Sequence, residues 1–228
     1  MTISVVIPVL HEQVLINDCI ARLRDLGSDE MREIIVVDGD PDGDTLKAIE
    51  DGGVRRLSAG AGRARQMNVG AAAAEGDILL FLHADTRLPV DGFRRIADCM
   101  EEARFAAGAF DLGIGGEGIA FRIIEKVASF RSRVARIPYG DQAIFVRRAY
   151  FRSIGGFREM PLMEDVDLMR RIKRDGRAIF IIPEKLSTSA RRWEREGAVR
   201  CTFRNWTTML LYLLGVSPEK LAKRYPPP

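Results

Sequence analysis

The chain has 228 residues, a formal net charge of +3 and 46% hydrophobic residues, which is typical of a globular domain long enough to bury a core. The small net charge argues against nucleic acid as a partner. Its three cysteines, Cys19, Cys99 and Cys201, are widely spaced and form no Cys-x-x-Cys pattern. This usage argues against a zinc site and predicts a reducing, cytoplasmic environment.

Short apolar runs alternate with helical spacing in the first half of the chain. We predict four strands, at residues 3–8, 33–37, 54–57 and 78–82. The first run is too short for a signal peptide or a membrane span. Helical spacing is shown by Leu15, Cys19, Leu23 and Leu26, and again by Met67, Ala71 and Ala74. The alternation predicts the α/β class, with a mostly parallel sheet flanked by helices.

After residue 88 the pattern changes. Pro89 is predicted to open a helix that turns Phe93, Ile96 and Met100 inward. Further strands are predicted at 105–112, 143–146 and 178–182, and a helix at 164–175. A long amphipathic helix is marked by Ile119, Ile123, Val127, Phe130 and Val134. We therefore expect one domain, 1–228, whose parallel first half (1–88) precedes a second half (89–228) with mixed strand directions and C-terminal helices.

An apolar helical stripe lies near the carboxyl end, formed by Phe203, Trp206, Met209, Leu210 and Leu213. We predict that it docks onto the core, since its apolar content falls short of a membrane span. The alternative is peripheral contact with an anionic membrane, which the flanking Arg200 and Arg204 would favour. The Pro-rich tail that follows is not expected to continue the helix.

Polar or flexible residues follow each of the four strands of the first half. These segments are Pro8-Val9-Leu10-His11-Glu12, Val37-Asp38-Gly39-Asp40, Ser58-Ala59-Gly60 and His83-Ala84-Asp85. Carboxyl ends of parallel strands meet at one edge, where open α/β sheets bind ligands. Acids there suit the amide and hydroxyl groups of a nucleoside. We therefore expect a nucleotide crevice along this edge.

Two segments of the first half suit a cation and a diphosphate. His83 and Asp85 are two residues apart in an extended stretch, so both side chains face one way and can share Mg²⁺ or Mn²⁺. The alternative is that Asp85 caps a turn and His83 packs in the core. Residues 60–68 combine small side chains, a helix N-terminus and the guanidiniums of Arg63 and Arg65. This segment is neither a G-x-G-x-x-G nor a Walker loop.

Acids cluster again in the second half, where Met163-Glu164-Asp165-Val166-Asp167 opens a helix after a Gly155-Gly156 turn and Pro161. Acids at a helix N-terminus are stabilised by the dipole, so a purely structural role is an alternative. A cluster after a flexible turn also suits a general base for a hydroxyl nucleophile. Gly140-Asp141-Gln142 is expected either to face a substrate or to form a simple turn.

This ordered set resembles the family 2 glycosyltransferases of GT-A fold. The matching segments are Pro8-Val9 with His11-Glu12 (family Pro-x-x-Asn-Glu), Asp38 (the uracil-contacting Asp), Asn68-Val69-Gly70 (Asn-x-Gly), His83-Ala84-Asp85 (Asp-x-Asp) and Glu164-Asp165 (the catalytic pair). Residues 60–68, LLFLHADTRLP, YGDQAIFVRR, GGF and ARRWEREG most resemble a small bacterial subgroup associated with arsenosugar or selenium-related genes. That context fixes no substrate.

The resemblance implies an inverting transfer of a sugar from a nucleotide diphosphate sugar, UDP-linked, to the hydroxyl of a small-molecule or lipid acceptor. Residues 1–88 would bind the nucleotide, and 89–228 would hold the acceptor and the catalytic groups. Asp85 would hold Mg²⁺ or Mn²⁺, and Asp165 would be the base beside Glu164. Donor contacts are implied for Pro8, Val9, Glu12, Asp38, Arg63, Arg65, Asn68, His83 and Ala84. Sugar or acceptor contacts are expected from Gly140, Asp141, Gln142, Arg191, Arg192 and Trp193.

The chain also departs from the family pattern. His83 replaces the first Asp, and the Gln-x-x-Arg-Trp motif and membrane helices of polymerising members are missing, so polymer synthesis is not expected. One rival is a sugar-phosphate nucleotidyltransferase, which should carry a Gly-rich basic loop where His11-Glu12 stands. A second rival is a non-catalytic nucleotide-sugar-binding module, against which Asp85 and Asp165 argue. We expect a cytoplasmic protein, with attachment to the inner face of the membrane as the alternative.

Overall fold

The computed structural model describes residues 1–225, so the last three prolines of the tail lie outside the described residues. Its strands are β1 (Ile3–Val9), β2 (Met31–Asp38), β3 (Arg55–Ser58), β4 (Ile78–Phe81), β5 (Thr86–Arg87), β6 (Phe105–Asp111), β7 (Phe145–Arg147), β8 (Ala178–Lys185) and β9 (Ser187–Thr188). Its helices are α1 (Ile16–Asp25), α2 (Asp44–Ala48), α3 (Arg63–Ala73), α4 (Gly92–Glu101), α5 (Ile119–Ala135), α6 (Arg148–Ser153), α7 (Glu164–Arg174), α8 (Arg191–Glu196), α9 (Ala198–Leu213) and α10 (Pro218–Ala222). A short 3-10 helix spans Gly140–Gln142.

Seven strands form one sheet in the order β3-β2-β1-β4-β7-β6-β8. The first four are mutually parallel, β7 runs antiparallel to both of its neighbours, and β6 pairs parallel with β8. The predicted α/β class and the mixed second half are therefore confirmed. The short β5 and β9 form a separate antiparallel pair that the sequence did not indicate. Helix α9 ends at Leu213, and a separate short helix, α10, begins at Pro218, where a proline lacking its N–H is tolerated.

Although its edge strand β3 is largely exposed, the sheet is buried on both faces at its central strands, as their continuous apolar runs require. On one side it packs against α1, α4 and the start of α5, and on the other against α3, α6 and α7. Phe93, Ile96 and Met100 face inward as predicted, although α4 begins at Gly92 and not at Pro89. The three cysteines are free. No helix within residues 1–225 is both long and apolar enough to cross a bilayer.

The expectation that the carboxyl-terminal stripe docks onto the core is wrong. Phe203 is 69% exposed and Trp206 is 51% exposed, and Leu210 and Leu213 are exposed beside them, while Met209 is half-buried. The inward side of α9 carries Cys201 and Thr208 instead. The hydroxyl of Thr208 donates to the Arg204 carbonyl within the helix. The Thr208 hydroxyl is therefore buried with its hydrogen bond made.

Helix α5 is likewise turned with its apolar stripe outward. All five residues that marked it as amphipathic are exposed. Its buried side contains Glu125, which accepts hydrogen bonds from the Ile114 N–H and from Lys185 Nζ at 2.8 and 2.7 Å. Ser132 donates to the side-chain oxygen of Gln142 at 2.8 Å. Specific polar contacts, and not the apolar stripe, therefore set the orientation of this helix.

Helix α3 comes unusually close to the sheet at Gly70. A methyl group in place of its hydrogen would lie 2.4 Å from Val6 Cγ1 and 3.1 Å from Val37 Cγ2. Both valines are buried in the sheet and are stiff at χ1, so they cannot move aside at low cost.

We predict that Gly70→Ala lowers the free energy of unfolding by about 1–3 kcal/mol, although alanine favours a helix, because the added methyl overpacks the interface. The measurement is urea unfolding followed by circular dichroism. Gly52→Ala is the control, since nothing lies within 4 Å of its added methyl. A Gly70→Ala protein as stable as wild type would contradict the close approach.

Candidate active site

The carboxyl ends of β1 and β2 are tied together by a buried amide on α3. Gln66 Nε2 donates to the carbonyl oxygens of Val9 at 2.6 Å and Val37 at 2.9 Å. Gln66 was not among the residues predicted for the site, although a polar residue beside Met67 on the sheet-facing side of α3 was a usable signal. This hydrogen bond occupies the Val9 carbonyl. Contact of Pro8, Val9 and the buried Ala84 with a nucleotide sugar remains a prediction.

Asp38 ends β2 with its carboxylate fully buried. Its Oδ1 accepts a hydrogen bond from the Asp40 N–H at 2.9 Å, whereas its Oδ2 has no hydrogen-bond partner within residues 1–225. A buried acceptor without a donor is costly in free energy. A ligand N–H or O–H would satisfy it, so the chemistry of this atom fits the contact predicted for Asp38.

Asp85 and Glu12 share one guanidinium. Arg191 Nη2 lies 3.5 Å from Asp85 Oδ2 and 3.9 Å from Glu12 Oε2. The pairing of β5 with β9 brings α8 to this edge, because β5 directly follows Asp85 and β9 closely precedes Arg191. Burial raises the pKa of Glu12; Arg191 lowers it in part, and the Asp85 charge raises it further. The two carboxylates are therefore close enough to interact electrostatically.

The donor set here suits a cation that is held jointly with a phosphate. No group of three or more His, Cys, Asp or Glu side chains in the described part of the chain is arranged to hold a metal by itself. Mg²⁺, however, is usually held by one or two carboxylates together with substrate phosphates and water. Asp85, with Glu12 beside it, supplies oxygen ligands of this kind, so these residues fit the predicted cation.

Asp165, at the start of α7, is bonded to the 3-10 turn. Its Oδ2 accepts from the Gly140 N–H at 2.6 Å, and its Oδ1 accepts from the Val166 N–H at 2.7 Å. His83 is close by, since a methyl group on Gly140 would lie 3.5 Å from His83 Nε2 and 3.4 Å from Asp165 Oδ2. The structure thus brings together three segments that are distant in sequence.

His83 is half-buried beside these carboxylates and does not simply pack in the core. Its pKa is lowered to about 4, mainly by burial and also by the Arg63 charge, while the charges of Asp85 and Asp165 oppose the shift. The imidazole is therefore neutral at pH 7. A neutral imidazole has one nitrogen that accepts and one that donates, whereas the Asp it replaces can only accept.

The two arginines predicted for a diphosphate make other contacts in this structure. Arg63 Nε lies 3.0 Å from the buried Glu164 Oε1, and Arg65 pairs with the exposed Glu159 at 2.8 Å. Burial raises the pKa of Glu164, while Arg63 lowers it. Contact with a diphosphate therefore remains a prediction for both arginines.

Several other predicted contact residues belong to the framework of the site. Asn68 uses its side-chain amide twice, donating to the Phe157 carbonyl at 2.8 Å and accepting from the Phe157 N–H at 2.9 Å. Gln142 is buried and donates to the Phe110 carbonyl. Trp193 packs in the core, and its indole N–H has no hydrogen-bond partner within residues 1–225. Arg192 pairs with Glu196 and lies over the Tyr225 ring.

Asp141 lies in the same turn as Gly140. Burial raises the pKa of its carboxyl to about 6, with Asp165 and Asp85 raising it and Arg131 and Arg63 lowering it. The Arg131 guanidinium stacks on the Tyr139 ring, 3.6 Å from its centroid. Asp141 Oδ1 is buried and has no hydrogen-bond partner in the described residues. Asp141 is therefore a second acid near Asp165, the predicted base, and its pKa is raised.

Comparison with known proteins agrees with this geometry. Residues 4–158 match the sequence profile of Glycosyl transferase family 2. A search of curated proteins finds no significant match. Among solved structures, Staphylococcus aureus TarS residues 1–349 superposes with a TM-score of 0.61 at 18% identity, covering 83% of this chain and 61% of that one. Glucosyl-3-phosphoglycerate synthase from Mycobacterium tuberculosis, in complex with Mn²⁺, UDP and glucosyl-3-phosphoglycerate, superposes with a TM-score of 0.60 at 20% identity, covering 82% and 70%. The likeness to these two shows the GT-A fold.

The raised pKa of Asp141 predicts a stability cost above its folded-state pKa of about 6. A carboxyl whose pKa is higher folded than unfolded binds more protons when folded, so the free energy of unfolding falls as pH rises between the two values. Asp141→Asn should therefore be more stable than wild type at about pH 8, and this gain should shrink toward about pH 4. Urea unfolding at both pH values measures it. If the variant and wild type differ by the same free energy of unfolding at both pH values, the raised pKa of Asp141 is contradicted.

Proposed function

The chain belongs to glycosyl transferase family 2, and we propose that it moves a sugar from a UDP-linked donor to an acceptor hydroxyl with inversion at the anomeric carbon. It is a glycosyltransferase of GT-A fold. Support for the donor comes from TarS, solved in complex with UDP-GlcNAc, and from glucosyl-3-phosphoglycerate synthase, solved with UDP and Mn²⁺. Family membership favours sugar transfer over nucleotidyl transfer and over a purely binding role.

One observation carries the proposal. Asp165, Gly140 and His83 meet at the same sheet edge as Asp85, and the Asp165 carboxylate is within hydrogen-bonding distance of Gly140. A carboxylate that can take a proton therefore lies near a carboxylate that can hold a cation. A sugar transfer needs these two functions on either side of the anomeric carbon.

The donor nucleoside would bind at the ends of β1 and β2. The unpartnered Oδ2 of Asp38 supports a hydrogen bond from the nucleobase, and Glu12 lies at the neighbouring strand end. The backbone of Pro8, Val9 and Ala84 would contact the nucleoside at this edge. The nearby arginines that would contact the diphosphate are Arg63, Arg65 and Arg191.

Asp85 and Glu12 would hold Mg²⁺ or Mn²⁺ together with the diphosphate. The bound cation supplies charge stabilisation of the departing diphosphate. Before donor and cation bind, the Arg191 guanidinium balances the Asp85 charge.

We predict that Asp85→Ala abolishes the Mn²⁺-dependent gain in UDP affinity while leaving the fold intact, because a partly exposed edge carboxylate contributes little to the core. Isothermal titration calorimetry with and without Mn²⁺ measures it. Arg191→Ala removes the guanidinium but keeps the carboxylate, so it should retain the Mn²⁺ dependence. Asp98→Ala, an exposed acid on α4, is the neutral control. The same Mn²⁺-dependent gain in Asp85→Ala and wild type would exclude the site.

Asp165 would be the general base. Each of its carboxylate oxygens accepts one backbone N–H, which fixes the plane of the group and leaves lone pairs for an acceptor hydroxyl. As the acceptor oxygen bonds to the anomeric carbon, the bond to the diphosphate breaks and the hydroxyl proton passes to Asp165. The buried Glu164, paired with Arg63, would keep the start of α7 in position. Asp141 is the competing candidate, since its pKa is raised.

Asp165→Asn should lower turnover by a factor of about 10²–10⁴ and leave UDP affinity nearly unchanged, since asparagine preserves the Gly140 contact but cannot take the proton. Hydrolysis of UDP-sugars, or transfer once an acceptor is known, gives turnover, and calorimetry gives affinity. Asp98→Asn controls for the loss of one negative charge. If Asp165→Asn remains within a few-fold of wild type while Asp141→Asn is inactive, Asp141 is the base.

Other parts of the proposal rest on the sequence. They are the single-domain organisation of residues 1–228, the cytoplasmic location, the likeness to the arsenosugar-associated subgroup, and an acceptor that is a small molecule or a lipid. The chain spans about three fifths of the TarS fragment that it matches, at 61%. The substrates of that longer protein therefore are not assigned to this chain.

A further inference from the structure

Large apolar side chains that remain exposed are concentrated on two helices. Within residues 1–225, fifteen large hydrophobic residues are exposed, and eleven of them lie between Ile119 and Val134 or between Val199 and Leu214. Large exposed apolar patches on a soluble protein mark interaction surfaces. Helices α5 and α9 contact each other, so the two exposed apolar stripes lie on adjacent helices. We call these eleven residues the α5–α9 face; they are Ile119, Ile123, Val127, Phe130, Val134, Val199, Phe203, Trp206, Leu210, Leu213 and Leu214.

The exposed charged residues on the two helices of the α5–α9 face are all basic. Helix α5 carries four basic residues and α9 carries two, and the one acidic residue in either helix, Glu125, is buried and paired. Lys126 and Arg200 are exposed and have no ion-pair partner in the described residues. The exposed acids Glu117 and Glu194 lie in neighbouring segments, outside both helices.

From this combination we propose that the α5–α9 face docks onto the surface of an anionic lipid bilayer. An interfacial helix has Trp, Phe and Leu on one side and Lys or Arg bordering them, and it lies in the plane of the headgroups. Here Phe203, Trp206 and Leu210 are the apolar anchors on α9, and Phe130 is the largest on α5. The exposed Lys126 and Arg200, which have no ion-pair partner within residues 1–225, would contact anionic headgroups.

Two other occupants fit the charges less well. A second copy of the chain, packed about a two-fold axis, would bring the same basic borders together, and like charges at an interface are unfavourable. The hydrophobic core of this protein cannot cover the face either, because the inward sides of both helices are already held by Glu125, Ser132, Cys201 and Thr208.

The docking face is linked to the acceptor side of the site. On α5, Arg131 stacks on Tyr139 and Ser132 bonds to Gln142, and these residues flank the Gly140 that contacts Asp165. Docking itself does not depend on the transferase chemistry, so a binding measurement can fail without affecting the proposed function.

The test uses the full chain with vesicles of neutral phosphatidylcholine alone or mixed with anionic phosphatidylglycerol. Binding is measured by co-sedimentation at about 0.1 M and about 1 M NaCl, since salt screens the attraction between exposed charges. The chain has two tryptophans, and Trp193 is 9% exposed whereas Trp206 is 51% exposed. A blue shift of fluorescence and quenching by brominated lipid therefore report the insertion of Trp206.

We expect binding to anionic vesicles that weakens at high salt, with quenching of Trp206. Phe203→Ser and the double variant Lys126→Glu, Arg200→Glu should each weaken vesicle binding by about tenfold or more. The controls are Val90→Ser, an exposed apolar residue outside the face, and Arg32→Glu, a basic residue near the start of β2. Both should bind like wild type, and circular dichroism confirms that each variant is folded.

Three results would overturn the proposal. The first is no binding to anionic vesicles at low salt. The second is binding that the face variants and the controls change equally. The third is a dimer, seen by analytical ultracentrifugation without lipid, that Phe203→Ser dissociates while wild type ignores vesicles; the face would then bind a second copy.

Discussion

The amide of Gln66 sets the distance between the carboxyl ends of β1 and β2, and the candidate site at this edge of the sheet depends on that distance. Strand ends lose the ladder hydrogen bonds that hold them in register, so two carbonyls that share one donor are pulled to a fixed separation. Asp38 is the last residue of β2, and Glu12 lies shortly after the end of β1. The close approach of α3 at Gly70 places the amide at this depth. The helix is thus as much a part of the site as the loops.

Acids dominate the centre of the site, and arginines from distant elements balance them. Arg63 comes from α3, Arg131 from α5 and Arg191 from α8. Burial makes each negative charge costly, and a guanidinium close by offsets that cost. The balance is incomplete, because Asp141 retains a pKa of about 6. A site with this excess of negative charge is suited to bind a cation.

Continuous apolar runs located most strands of the main sheet from the sequence, because burial on both faces leaves little room for polar residues. The edge strand β3 was also located, although its run contains Arg55 and Arg56 and the strand is largely exposed. The acids at strand ends and at the start of α7 were recognisable for the same reason, since charges stood out against apolar surroundings. The orientation of α5 and α9 was not accessible in this way. An amphipathic pattern does not state which side of a helix is buried. The buried side of α5 is set by hydrogen bonds of Glu125 and Ser132 to residues outside the helix, among them Lys185, which is 60 residues away in sequence. Arg191 likewise reaches Asp85 only through a pair of two-residue strands.

That small strand pair also constrains the order in which the site is assembled. Thr86 and Thr188 share a hydroxyl contact across 102 residues of chain. Contacts so distant in sequence form late, because a long loop must close before they contribute. During synthesis, the edge of the sheet formed by β1, β2 and α3 emerges from the ribosome well before α8. A nascent chain therefore exposes Asp85 and Glu12 without their guanidinium, and this edge becomes charge-balanced only after most of the polypeptide has been made.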